Sequence, residues 1–336
     1  MSPELSFSGL SVLVARIAPH SVATVHALLR DGARVTVAAK LDDLPTSLRD
    51  LAERGLVTLA PQADPTAYDV VLRGDPSTSP APIPETAVAE GDPVVGTVTL
   101  LGGGLGDPGL LTVAGIEAIR QADVVVHDRL APLSALRHAR DDVRVVDVGK
   151  IPRGDFTPQD RINDLLVEHA LAGRNVLRFK GGDNFVFGRG GEEAEACAAR
   201  GIPVVVIPGI SSSIAAPALA GIPVTHRSLV QGFTVVSAHV PPGDPRSTLD
   251  WGAIARSRTT IVVLMGVATL GAVAETLVAE GLSPQTPAAV VADAGLPSMR
   301  TVRAPLCDID ASARGAGLGA PAVVVIGDVA ALDVLR

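Results

Sequence analysis

The chain has 336 residues, 47% of them hydrophobic, enough to bury the cores of roughly two to three domains and too apolar to stay disordered. Eight aromatics beside 34 Gly and 26 Pro speak against a strand-rich sandwich and for an α/β chain, with Val runs as buried parallel strands and Ala-rich stretches as covering helices. The formal charge of −8 excludes a protein whose main partner is nucleic acid, and an anionic small substrate would need a local arginine cluster to overcome that field.

In chain order, Leu10–Ala15 reads as a strand, Ser21–Arg30 as a helix, Ala33–Ala39 as a second strand and Val70–Leu72 as a third. This β-α-β order opens a Rossmann-like unit over residues 1–73. The turn after its first strand, Arg16-Ile17-Ala18-Pro19-His20-Ser21, lacks the glycines that let backbone approach a pyrophosphate, so NAD is not expected as a cofactor. Twelve acidic against seven basic residues in 1–92 point the same way. Residues 74–92 are rich in Pro, Ser, Thr and acidic side chains and read as a linker.

Strand-like runs then recur at Val95–Leu101, Val124–His127, Val143–Val148, Asn175–Phe179, Val204–Ile207, Thr234–Ser237, Thr260–Leu264, Ala288–Ala292 and Ala322–Ile326. Helical patterns lie between several of them. The simplest arrangement is a two-lobed, parallel-rich α/β unit, 93–210 and 211–336, with ligands beyond the carboxyl ends of the strands. The uncharged run Gly201–Thr225 is as long as a membrane span but carries Pro203, Pro208, Pro217 and Pro223, so it reads as strand, loop, helix and loop in a soluble core. No basic segment precedes an apolar stretch at the N-terminus, and no signal peptide is expected. Cys197 and Cys307 form no CxxC, which fits reduced thiols and a cytoplasmic location. No metal-ligand spacing is present.

Chemistry gathers at strand ends. Gly102-Gly103-Gly104-Leu105-Gly106 follows a strand and precedes a helix, and without a following Lys-Ser/Thr it is no Walker loop. His127-Asp128-Arg129 and Gly149-Lys150 stand at the ends of two further strands. The densest segment is Arg178-Phe179-Lys180-Gly181-Gly182-Asp183-Asn184-Phe185-Val186-Phe187-Gly188-Arg189-Gly190-Gly191-Glu192-Glu193, a tightly bending loop with an apolar floor. Glu192 and Glu193 suit the first turn of the helix that follows. Only Lys40, Lys150 and Lys180 are lysines, and two of the three sit in these motifs, where desolvation would let an amine exchange a proton as arginine cannot. Ser211-Ser212-Ser213, Thr225-His226-Arg227 and Met265-Gly266 complete the set, Met265 reading by itself as a core thioether.

From about Val95 to Leu335 these motifs, GGGLGDPGLLT, ADVVVHDRL, VGK, RFKGGDNFVFGRGGEEAE, IPGISSSIAAPALAGIPVTHR, LMG and PAVVVIG, resemble in order those of the tetrapyrrole methylase family, and within it the uroporphyrinogen-III C-methyltransferases. The resemblance implies a two-lobed α/β homodimer that methylates positions 2 and 7 of uroporphyrinogen III from S-adenosylmethionine, giving precorrin-2 for sirohaem or cobalamin. It implies donor contacts at Leu105, Gly181, Gly182, Asp183, Val186, Ser211, Ser212, Met265 and Ala294, a general base at Asp128, and an acid or substrate-contacting lysine at Lys150. Arg129, Arg178, Arg189, His226 and Arg227 are the expected anchors for the substrate carboxylates. A cobalt-precorrin methyltransferase of the same fold, and a bifunctional sirohaem synthase with residual NAD-dependent activity, are the rival readings. Leu105 and Asn184 stand where the family pattern has proline, so both donor loops are expected to lose a rigidifying ring. Ile151 to Asp155 also depart from the pattern. The N-terminal piece resembles the opening half of the sirohaem synthase dehydrogenase domain, shortened to a remnant expected to lack dehydrogenase and chelatase activity.

Overall fold

The computed structural model describes residues 7–15, 24–25, 28–29, 31–44, 46–72, 95–149 and 157–335. The expected turn 16–21, the linker 74–92, Lys150 and the segment 151–155 lie outside them. The chain divides into two compact units, 1–89 and 90–336.

In the first unit short Val-rich runs form β1 (Ser11–Val14), β2 (Arg34–Val37), β3 (Thr58–Leu59) and β4 (Val70–Leu72). All pairings are parallel, in the order β3-β2-β1-β4. Val12, Val14, Val35 and Val37 bury one face against Leu48 and Leu51 of helix α1 (Thr46–Glu53). The two-residue β3 is too short to leave a periodic trace in the sequence.

The second unit holds two five-stranded sheets. The first is parallel throughout, in the order β7-β6-β8-β5-β9, from β5 (Val98–Gly102), β6 (Val124–His127), β7 (Arg144–Asp147), β8 (Val176–Lys180) and β9 (Val204–Ile207). Its central strand β8 is buried along its whole length, as a strand covered on both faces must be. On one face α3 (Gln159–Leu171) and α4 (Gly190–Ala198) supply Ile162, Leu166 and Cys197 to the core. On the other, α2 (Val113–Gln121) supplies Ile119. Thr112 starts α2 by accepting a 3.0 Å bond from Gly115 N, which satisfies one of the helix's unpaired donors.

The second sheet runs β10-β11-β14-β12-β13, from β10 (Phe233–Ser237), β11 (Thr260–Leu264), β12 (Pro287–Ala292), β13 (Arg300–Pro305) and β14 (Ala322–Ile326). Here the expectation of parallel pairing needs correction. Only β10 and β11 run parallel, while β14 lies antiparallel to β11 and β12, and β12 to β13. The strand β13 escaped the sequence because RTVRAP, with Arg300 and Arg303 three apart and a closing proline, has neither an apolar run nor a period of two, and it lies partly exposed at the sheet edge. Helix α5 (Ser212–Leu219) packs Ala216 on this sheet, joining a core that also includes Leu105 and Ala294. Thus 201–225 does fold as strand, loop and helix. Among the described residues no helix is long and apolar enough to cross a membrane.

Candidate active site

Because the first sheet is parallel, the loops after β5, β6, β8 and β9 all emerge at one edge. Three of them meet backbone to backbone. Gly103 N donates to Lys180 O at 2.7 Å, and Gly104 and Gly182 exchange a pair of bonds as an antiparallel bridge. A Cβ on Gly209 would stand 2.2 Å from Gly182 O, and one on Gly102 would stand 2.4 Å from Gly209 N. No side chain fits between these loops. Gly182 differs: its φ of +68° demands glycine, yet a Cβ there would meet only Ser212 N, at 3.8 Å, so its backbone faces open space.

Asp183 locks this ledge. Its Oδ1 accepts from Phe185 N at 2.9 Å and its Oδ2 from Gly209 N at 3.1 Å, tying the β8 loop to the β9 loop. Asn184, which lacks the ring of a proline, ties the loop by hydrogen bonds instead. Its side chain is wholly buried, and Nδ2 donates to Leu100 O at 3.0 Å and Ile207 O at 3.1 Å, so one amide clamps the loop to the ends of β5 and β9. Ser211 caps α5 and shares a 2.9 Å hydroxyl contact with Ser213. From the second sheet, the loop after β12 touches the loop after β5: a Cβ on Gly295 would stand 2.7 Å from Leu105 O, and one on Gly106 2.6 Å from Leu296 Cδ2. Leu105, Gly181, Gly182, Asp183, Ser211, Ser212 and Ala294 therefore belong to one connected group of loops. Val186 and Met265 are exposed, and Met265 is no core thioether: it is 51% exposed at a φ of +56° where β11 ends.

Beside the ledge the rim is charged. A Cβ on Gly181 would stand 2.5 Å from Leu130 O, which brings the loop after β6 against it. Asp128, at the head of that loop, is 30% exposed, and its Oδ2 accepts from Arg178 Nη2 at 3.2 Å. Its Oδ1 is buried with no hydrogen-bond partner. Arg178, expected to anchor substrate, is 3% exposed and committed to the protein: Nη1 donates to Val126 O at 3.3 Å and Nε to Glu193 Oε1 at 2.9 Å. Its place in the wall, not the cleft, follows from the strand period of two, which sends Arg178 and Lys180 to the face covered by α3 and α4.

Glu193 stands in the first turn of α4, as expected, but its charge is used inside the protein. It is wholly buried and takes Lys180 Nζ on both oxygens at 3.0 and 2.9 Å, with Gln159 Nε2 at 3.2 Å. Burial, reinforced by Arg178, holds the Lys180 amine below its ordinary value despite Glu193. A signal for Glu193 did exist: two cations at positions i and i+2 of a buried strand require an acid on the same face. Glu192, in contrast, is exposed and pairs bidentately with Arg189. Arg129, His226 and Arg227 are exposed, His226 Nδ1 accepting from Ser228 N at 3.3 Å. His127 is buried under the rim, its Nδ1 3.9 Å from Asp147 Oδ1. Among the described residues no group of His, Cys, Asp and Glu could hold a metal ion.

The arrangement couples a ledge of bare backbone to a carboxylate with one oxygen held by Arg178 and the other buried without a partner. Residues 97–310 match the model of the Tetrapyrrole (Corrin/Porphyrin) Methylases. The chain is 45% identical over 237 residues to a siroheme synthase of Neisseria meningitidis and 43% identical over 234 residues to a uroporphyrinogen-III C-methyltransferase of Bacillus subtilis. Each match covers 70% of this chain and 48% of the relative, so the chain spans about half the length of these relatives. A solved uroporphyrin-III C-methyl transferase of Thermus thermophilus, complexed with S-adenyl homocysteine, superposes with a TM-score of 0.59 at 38% identity, over 70% of this chain and 98% of that one. On the match over residues 97–310, then, the chain belongs to the tetrapyrrole methylase family.

Proposed function

We propose that this chain is an S-adenosylmethionine-dependent methyltransferase that adds methyl groups to positions 2 and 7 of uroporphyrinogen III, giving precorrin-2. The observation that carries the reading is Asp128, with one oxygen fixed by Arg178 and the other buried and unpartnered, adjoining the glycine ledge. The likeness to the Thermus thermophilus chain supports it.

The ledge fits the donor. Gly182 presents open backbone, Ser212 N lies beside it, and Leu105 and Ala294 close the loops from the other sheet. Gly181, Gly182, Asp183, Val186, Ser211, Ser212, Met265, Leu105 and Ala294 would hold it. When bound, S-adenosylmethionine supplies a methyl group already activated by its sulfonium. The protein's tasks are then alignment and removal of one proton from a ring carbon. The rigid ledge serves the first. Asp128 serves the second, taking the proton as the carbon's electrons return to the ring. Lys150 completes the reading as an acid or substrate contact. Arg129, Arg189, His226 and Arg227 anchor substrate carboxylates from the rim, while Arg178 acts on Asp128 instead.

The protein works in the cytoplasm as a homodimer. The free thiols Cys197 and Cys307 suit a reducing compartment, and β9, the open edge of its sheet, exposes Val205 and Val206 to a second copy. Residues 1–73 serve as a remnant without dehydrogenase activity, joined through 74–92 to lobes 93–210 and 211–336. Titrating S-adenosylmethionine into the purified protein by calorimetry tests the donor assignment. Saturable binding is expected, and its absence would overturn the reading.

A further inference from the structure

We propose that Glu193 is a positioning residue: it acts through Arg178 to keep one oxygen of Asp128 uncommitted. The inference rests on Asp128 being the base. Four charges meet under the rim, Asp128 and Glu193 against Arg178 and Lys180. The guanidinium lies between the two carboxylates and is pulled by both. Glu193 takes Nε at 2.9 Å, shorter than the 3.2 Å between Nη2 and Asp128 Oδ2, and Val126 O takes Nη1. Only Nη2 therefore reaches Asp128, and only one of its oxygens is engaged; the other stays buried without a donor. An arginine released from Glu193 would turn its fork onto Asp128 and occupy both oxygens, the geometry this pair of groups prefers.

Lys180 makes the hold possible. With Nζ on both oxygens it offsets the charge of the wholly buried Glu193, so that Arg178 is left with charge to share with Asp128. Gln159 adds a neutral donor from α3. Arg178 is thus shared between two acids without net charge in the cluster. Buried ion networks are often replaceable by hydrocarbon without loss of stability, so stability alone does not account for this one.

The test is the kinetics of Glu193→Gln, Glu193→Gln with Lys180→Met, and Arg178→Lys, each compared with Asp128→Asn, with donor affinity by calorimetry and folding by thermal unfolding. Glu193→Gln is expected to lower kcat by about 10- to 10²-fold, a misplaced catalytic group's cost, with donor Kd unchanged. Adding Lys180→Met rebalances the charge but still leaves Arg178 without its second acid, so the loss in kcat is expected to persist. A folded Glu193→Gln with unchanged kcat overturns the proposal, as does a loss that donor Kd and stability share or one that Lys180→Met relieves. Should Glu193→Gln fail to fold, Arg178→Lys decides: it keeps the charge but cannot span both acids, and unchanged kcat there overturns the proposal. Full turnover in Asp128→Asn removes the base itself, a separate failure.

Discussion

The glycine ledge after β5, β8 and β9 and the charged cluster between β6 and β8 share one edge of one sheet, yet they are built on opposite terms. In the ledge, main chains approach so closely that an added methyl group would stand 2.2–2.5 Å from backbone atoms of a neighbouring loop. In the cluster, side chains do the holding: Asp128, Arg178, Lys180 and Glu193 are linked in one chain of bonds beneath the surface. The first half is sensitive to volume and the second to charge. A substitution that respects one requirement and violates the other should therefore separate donor binding from turnover.

The sharpest separation is expected at Asp128. Asp128→Asn keeps volume and the acceptor for Arg178 but removes the base, so turnover should fall at least about 10²-fold while donor Kd holds. Initial rates and calorimetry on the same preparation check both, and weakened donor binding would merge the two halves. Gly209→Ala is the converse case. Its Cβ meets main-chain atoms of Gly182 and Gly102, so stability should drop by about 2–3 kcal/mol and donor affinity with it. Thermal unfolding measures the first effect, and an unshifted midpoint would show that the loops yield.

Smaller effects sharpen the comparison within the ledge. Asn184→Ala removes both bonds of the clamp and leaves Leu100 O and Ile207 O without that donor, for an expected loss of about 1–3 kcal/mol in denaturant unfolding. Donor binding should weaken while the turnover of saturated enzyme is kept. The smallest effect is expected from removing residues 1–89, whose core is separate from that of residues 90–336. Turnover per folded molecule should be unchanged, and loss of activity in a folded truncation would give the first unit a part in the reaction.

Much of this was legible in the sequence, for physical reasons that also mark where it was not. Val runs such as 124–126 and 204–206 revealed the strands of the parallel sheet, because strands in such a sheet are continuously apolar. The edge strand β13, with Arg300 and Arg303 three apart, has no such run and left no such trace. Glycine clusters announced the ledge, since nothing else permits that approach. Asn184, read from its type alone, looked like the loss of a stiffening ring; the structure gives it two hydrogen bonds that fix the same loop by other means. Glu192 and Glu193 look equivalent in sequence, but the helix turns one to solvent and the other into the core. Arg178 looked available to a substrate because its partners lie 50 and 15 residues away.

The most direct test of the whole account is to incubate the protein anaerobically with uroporphyrinogen III and S-adenosylmethionine and to follow the product by absorbance and mass. The account expects two added methyl groups. Recovery of unmodified substrate from protein that binds the donor would contradict it.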